Sequence, residues 1–198
     1  MANMCVMAQN TKKLPEPNKK VKMTLYEALQ QRHSTRDFSD KNVDESKLSQ
    51  LLWAAVGINR PNGNLTAPTA VNAKDISVYV CTKDGAWLYM AKENSLRRVS
   101  FKDLRSAVAG NQKFSETAPI SLVLVTDNAK LNGTNNEGPT LMGAVDAGYV
   151  SQNICLACEA LGLATVPRAT MDANTLKKEL KLSETQHAVL NHPIGHKK

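Results

Sequence analysis

Residues 141–161 read LMGAVDAGYVSQNICLACEAL, followed by the exit GLATVPRA at 162–169. Met142, Val145, Tyr149, Val150, Ile154, Leu156, Ala157 and Leu161 place apolar side chains nearly all round a helix. A helix that is apolar on every side has to be buried. One chain of 198 residues covers a helix of this length poorly, so the segment predicts a subunit interface. Gly162 stops the helix, and residues 163–169 leave it as an extended segment. Cys155 and Cys158 stand one turn apart inside it. A zinc site wants four ligands and a redox pair wants a helix N-terminus, so they read as core packing.

Upstream, ISLVLVT at 120–126 is a near-continuous apolar run, the pattern of a strand buried on both faces. ISVYVC at 76–81, the turn Lys83-Asp84-Gly85 and AWLYM at 86–90 predict a strand and its return. Helical character lies at 102–109. Asp44 caps a helix with Leu48, Leu51, Leu52, Ala55 and Val56 on one face, and Gly57 ends it. Thr24 and Glu27 form a capping box for a short helix reaching about Arg32. Downstream, Asp172 caps a short helix with Leu176 and Leu180, and 188–191 predicts a last strand. Residues 58–75 and 128–139 read as loops. The order α, α, β, β, α, β, α, α, β gives an α+β class, in one domain over 23–198.

Residues 1–22 read as a flexible basic arm, with Pro15 and Pro17 blocking regular structure. MANMCVMAQ at its start ends in a small-residue pattern. It is either the remnant of a signal peptide or a plain leader, so cytoplasm and periplasm both stay open. The formal net charge is +7. Residues 1–36 carry seven Lys/Arg against two acids and 177–198 carry five against two, leaving thirteen against fourteen between them. The excess sits at the ends, and aromatic residues are only 5%, which argues against a basic stripe that binds nucleic acid. No apolar run reaches the roughly 20 residues of a membrane span.

Four stretches carry candidate chemistry. In Arg32-His33-Ser34-Thr35-Arg36, two guanidinium forks and two hydroxyls suit phosphate oxygens. Extended backbone would put Arg32, Ser34 and Arg36 on one side; the other reading is a solvated basic turn. In Ala67-Pro68-Thr69-Ala70-Val71-Asn72, small residues let a planar ligand approach, and Asn72 offers donor and acceptor; the other reading is an Asx turn. The helix exit at 162–169, Gly162 to Ala169, presents backbone N–H groups, and the tail Ile194-Gly195-His196-Lys197-Lys198 adds cations. The P-loop, the G-x-S-x-G elbow and the G-x-G-x-x-G fingerprint are all missing.

Taken in order, RHSTRDF at 32–38, APTAVNAKD at 67–75, DAGYVSQNICLACEALGLATVP at 146–167 and LNHPIGHKK at 190–198 resemble the FMN-dependent nitroreductase family. The stretch from 76–81 through Arg105 and Gln112 to Ala118-Pro119 is similar to its small, peptide-modifying dehydrogenase-like branch. The resemblance implies a nitroreductase-like α+β fold, a mostly antiparallel central sheet flanked by helices, in an intertwined homodimer with FMN at the interface. By that resemblance Arg32, Ser34 and Arg36 hold the FMN phosphate and ribityl chain with His33 alongside. Gly195 and His196 lie beside them, and Lys197 or Lys198 completes the phosphate site. Asn72 contacts the flavin across the dimer, and Pro68, Thr69 and Ala70 line that wall. Gln112 joins the contacts, and backbone at Val166, Pro167, Arg168 and Ala169 faces flavin N5.

The implied activity is hydride transfer from NAD(P)H through flavin N5 to an electron-poor acceptor such as a nitroaromatic or quinone, in a ping-pong cycle. The alternative is a non-catalytic flavin-binding or flavin-handling protein. One departure stands out: many members carry an acidic residue or Gly where Arg168 and Ala169 stand. A cation near the flavin face is expected to raise its potential. The helices that cover the pocket in larger members are short or missing between 91 and 119.

Overall fold

The computed structural model describes residues 10–131 and 138–198. The leader at 1–9 and the middle of the 128–139 loop lie outside the described residues. Among the described residues seven strands form one sheet: β1 (Thr11–Lys13), β2 (Ser77–Thr82), β3 (Gly85–Met90), β4 (Ser95–Ser100), β5 (Ile120–Asp127), β6 (Leu163–Thr165) and β7 (Gln186–His196). Their order is β1-β4-β3-β2-β5-β7-β6, and every neighbouring pair is antiparallel. The helices are α1 (Leu25–Gln31), α2 (Glu45–Val56), α3 (Arg105–Ala109), α4 (Leu141–Ala160) and α5 (Ala173–Glu179).

The sheet is covered on both faces because its central strands are apolar over Val78–Cys81 and, but for Ser121, over Ile120–Val125. Val78 and Val80 of β2 join Leu122 and Leu124 of β5 on the side of α2 and α4, with Leu51, Leu52, Val150 and Ile154. Tyr79, Cys81, Val123 and Val125 face the other way, onto Val108 of α3 and Leu176 and Leu180 at α5. The period-2 alternation of a strand thus splits one apolar run between two cores. Caps fix the helix starts: Thr24 and Glu27 close a full capping box, and Asp44, Thr140 and Asp172 each accept from a backbone N–H.

Helix α4 lies across β5 at a close approach that Gly143 permits. A Cβ there would sit 2.3 Å from Thr126 Oγ1. The inner face of α4 buries Ala147, Val150, Ile154 and Cys158, while Leu141, Met142, Val145 and Tyr149 stay exposed. One chain therefore covers one face of the apolar helix and leaves a stripe open. Cys155 and Cys158 are buried and unpaired, and burial pushes both thiols up. Among the described residues no helix is long and apolar enough to cross a membrane.

Several boundaries differ from the sequence expectation. Residues 10–22 are no free arm: β1 pairs with β4, Leu14 is 2% exposed, and Pro15 O accepts from Ser49 Oγ and Asn94 Nδ2. Strand β4 was not expected at all. The helix expected at 102–109 begins only at Arg105. Strand β7 is eleven residues long and runs through Pro193, where the sequence suggested an end at 191. Proline lacks one ladder donor, but pairing on both sides with β5 and β6 carries the strand past it.

Candidate functional site

The segment after α1 is extended, and its backbone is stitched to the sheet edge. Thr35 N–H donates to Thr165 O (3.0 Å), Ser39 N–H donates to His196 O (3.0 Å), and Phe38 bridges Lys197. Gly195 makes this possible: a Cβ there would meet Pro119 Cδ at 3.0 Å and Phe38 Cβ at 3.2 Å. Three of the four predicted stretches, 32–38, 163–169 and 194–198, thereby meet. Arg32 is half-buried; His33, Ser34 and Arg36 are exposed. His33 Nδ1 lies 2.8 Å from Gln31 O. Lys197 Nζ is held by Glu159 (2.7 Å), and the exposed Lys198 lies 3.6 Å from Asp37.

Beside this junction opens a cavity of about 430 Å³ lined by Arg36, Gln112, Phe114, Val166, Pro167, Arg168, Ala169 and Thr170. Six of these were candidates on sequence; Phe114 and Thr170 were not. Thr170 merely continues the exit segment, and an isolated Phe114 on a polar turn gave no signal. The cavity's lining charges are both positive, Arg36 and Arg168.

The Arg168 side chain turns away from solvent; it is 6% exposed. Nε donates to Gln112 Oε1 (2.8 Å), Nη1 to Asn191 Oδ1 (2.8 Å) and Val108 O (3.3 Å), and Nη2 to Ala109 O (2.7 Å) and Thr170 O (3.2 Å). Val108 and Ala109 end α3, so the guanidinium donates to carbonyls at a helix C-terminus, joining the Gln112 N–H (3.1 Å) at Ala109 O. Arg168 N–H and O are also tied to Asn191 at 2.9 and 2.7 Å. Of the exit donors foreseen on sequence, Pro167 has none and that of Arg168 is used. The Ala169 N–H makes no backbone hydrogen bond among the described residues.

The fourth stretch lies elsewhere. None of Pro68, Thr69, Ala70 and Asn72 lines this cavity. Ala70 N–H donates to Asp146 Oδ2 of α4 (2.8 Å), and Lys74 N–H donates to Thr69 Oγ1 (2.9 Å). Val71, Asn72 and Lys74 all sit at positive φ, 47°, 57° and 49°, a region that costs a β-branched residue most. This strained loop is held next to the exposed stripe of α4. Behind the cavity, His192 is fully buried, with Nε2 2.8 Å from Ser151 Oγ and Nδ1 3.2 Å from Thr165 Oγ1. Burial drives its pKa down to about 3, so it is neutral and ties α4, β7 and β6 together.

Comparison with known proteins places these features in context. The sequence profile of the Nitroreductase family matches residues 29–196. A crystal structure of a candidate nitroreductase from Ralstonia eutropha JMP134 superposes with a TM-score of 0.86 at 33% identity, over 96% of this chain and 90% of that one. A candidate nitroreductase of Methanocaldococcus jannaschii is 26% identical over 87% of this chain and 91% of its own length. An FMN reductase [NAD(P)H] of Bacillus subtilis is 27% identical over 74% of this chain. This chain spans about half of that enzyme, 54%.

Proposed function

Because the chain belongs to the nitroreductase family, we propose that it is an FMN-dependent NAD(P)H oxidoreductase acting on a small electron-poor acceptor. The observation that carries the reading is the cavity bordered by Arg36 and the 166–170 backbone, beside the extended Arg32–Arg36 segment. Its donor set fits a phosphorylated planar ligand. Arg32 and Arg36 suit the phosphate, since each guanidinium–phosphate contact is charge-assisted; Ser34 adds a hydroxyl donor. Pro167 and Phe114 give an apolar wall for a ring, and the Ala169 N–H offers a donor at its edge. The name FMN reductase [NAD(P)H] of the B. subtilis relative supports the same donor and cofactor.

When bound, flavin supplies hydride uptake from NAD(P)H and its delivery to the acceptor, so the protein's task is binding, orientation and tuning. No side chain here has to move a proton. The Glu159 carboxylate holds Lys197, and Lys198 remains the more exposed terminal cation for the phosphate. Asn72 and its strained loop are too far along α4 to line this cavity in one chain, which supports a second copy bringing them to it. The apolar stripe of Leu141, Met142, Val145 and Tyr149 is the surface on which that copy would dock. The test is anaerobic mixing of flavin-loaded protein with NADH or NADPH. Rapid bleaching of the flavin, followed by recolouring with a quinone or nitroaromatic, is expected. Flavin bound but never reduced by either nucleotide would favour a flavin-handling protein instead.

A further inference from the structure

Arg168 is a buried cation whose hydrogen-bond partners are all neutral. Its donors go to the carbonyls of Val108, Ala109 and Thr170 and to the side-chain amides of Gln112 and Asn191. The ring of Phe114 lies 5.6 Å from its guanidinium carbon. No Asp or Glu pairs with it among the described residues, and none lines the cavity beside it. Buried Arg is ordinarily paired with a carboxylate. Carbonyl dipoles satisfy its hydrogen bonds but leave its full positive charge in place. In low dielectric that charge is weakly screened and reaches into the cavity. Burial lowers its pKa from the usual value, the direction expected of a cation with no counter-charge.

We propose that Arg168 sets the redox poise of the site: its uncancelled charge stabilises the anionic reduced state of a flavin ring in this cavity and so raises the reduction potential. The proposal rests on the flavin reading above. Two-electron reduction adds a hydride equivalent to a neutral ring, placing one proton at N5 and leaving a net negative charge on the ring. The oxidised ring carries no such charge, so a fixed cation stabilises the reduced state more. Arg168 acts here by its field, with its side chain anchored at the end of α3.

Gln112→Glu is the sharpest variant. It preserves the acceptor 2.8 Å from Arg168 Nε and adds the missing negative charge there. Potentials are read by equilibrating flavin-loaded protein with a reference dye under dithionite. Gln112→Glu should give a more negative midpoint, with the equilibrium constant for reduction lowered about tenfold or more. Arg168→Lys, read beside Arg168→Gln, separates charge from scaffolding, since both lose the forked bonds and only Lys keeps the charge. Both should melt earlier, and only Arg168→Gln should shift the midpoint downward. An unchanged midpoint in flavin-loaded Gln112→Glu overturns the proposal and leaves the flavin reading intact. Should Gln112→Glu release its flavin, equal midpoints for Arg168→Lys and Arg168→Gln overturn it. A wild-type chain that takes up no flavin overturns both.

Discussion

His192 shows how much a single residue carries behind the site. Unfolded, its imidazole titrates near 6.5; folded, burial brings it to about 3. Below pH 6.5 the unfolded chain therefore binds a proton that the native state refuses. The stability contributed is intact above 6.5 and is lost as pH falls toward 3, at about 1.4 kcal/mol per pH unit. His192→Gln should accordingly lose about 2 kcal/mol less than wild type between pH 7 and pH 5 in urea titrations. Equal losses would show that this imidazole is solvated. Nothing in LNHPIGH announced the burial, because a histidine's partners, here Ser151 and Thr165, come from other elements. Arg168 was likewise visible as a candidate and opaque in role. The carbonyls that claim its guanidinium belong to α3, some sixty residues away in sequence.

Among elements, helices were legible where side chains cap them. Thr24, Asp44 and Asp172 each stood at the expected start, and apolar runs marked β2 and β5. Strands β1 and β4 were hidden for a physical reason. An outer strand needs little apolar content, and Thr-Lys-Lys carries the lysines that guard an exposed edge. The exception at that edge is Leu14, one residue beyond β1 and 2% exposed against the core of α2 and β4. Leu14→Ala should cost about 2–3 kcal/mol in chemical denaturation and expose residues 10–22 to limited proteolysis. A variant as stable and as resistant as wild type would return that segment to the status of a loose arm.

In the whole molecule, the long helix decides the architecture. Its all-round apolar pattern pointed to two layers of covering, and the single chain supplies one. Leu141, Met142, Val145 and Tyr149 remain open, and so do Leu25, Tyr26 and Leu29 of α1. These exposed apolar residues are where a second copy is proposed to dock. Wild type should run as a dimer in light scattering, and Val145→Glu with Tyr149→Glu should shift it to monomer at low micromolar concentration while the circular dichroism stays native. A wild-type monomer would leave the Asn72 loop without a site to complete. What sequence alone left open is how the four candidate stretches combine. Local spacing marks each of them, whereas the sheet order that joins three and sets the fourth apart is a property of the assembled fold.

FMN is proposed to sit in the cleft between the Arg32–Arg36 segment and residues 166–170, and titrating apo-protein with FMN reads that occupancy out. Wild type should bind close to one FMN per chain, and Arg32→Ala combined with Arg36→Ala should weaken binding at least about a hundredfold, as the loss of two charge-assisted contacts implies. Saturable FMN binding of equal strength in both proteins would place the cofactor elsewhere, and no binding by wild type would contradict the claim outright.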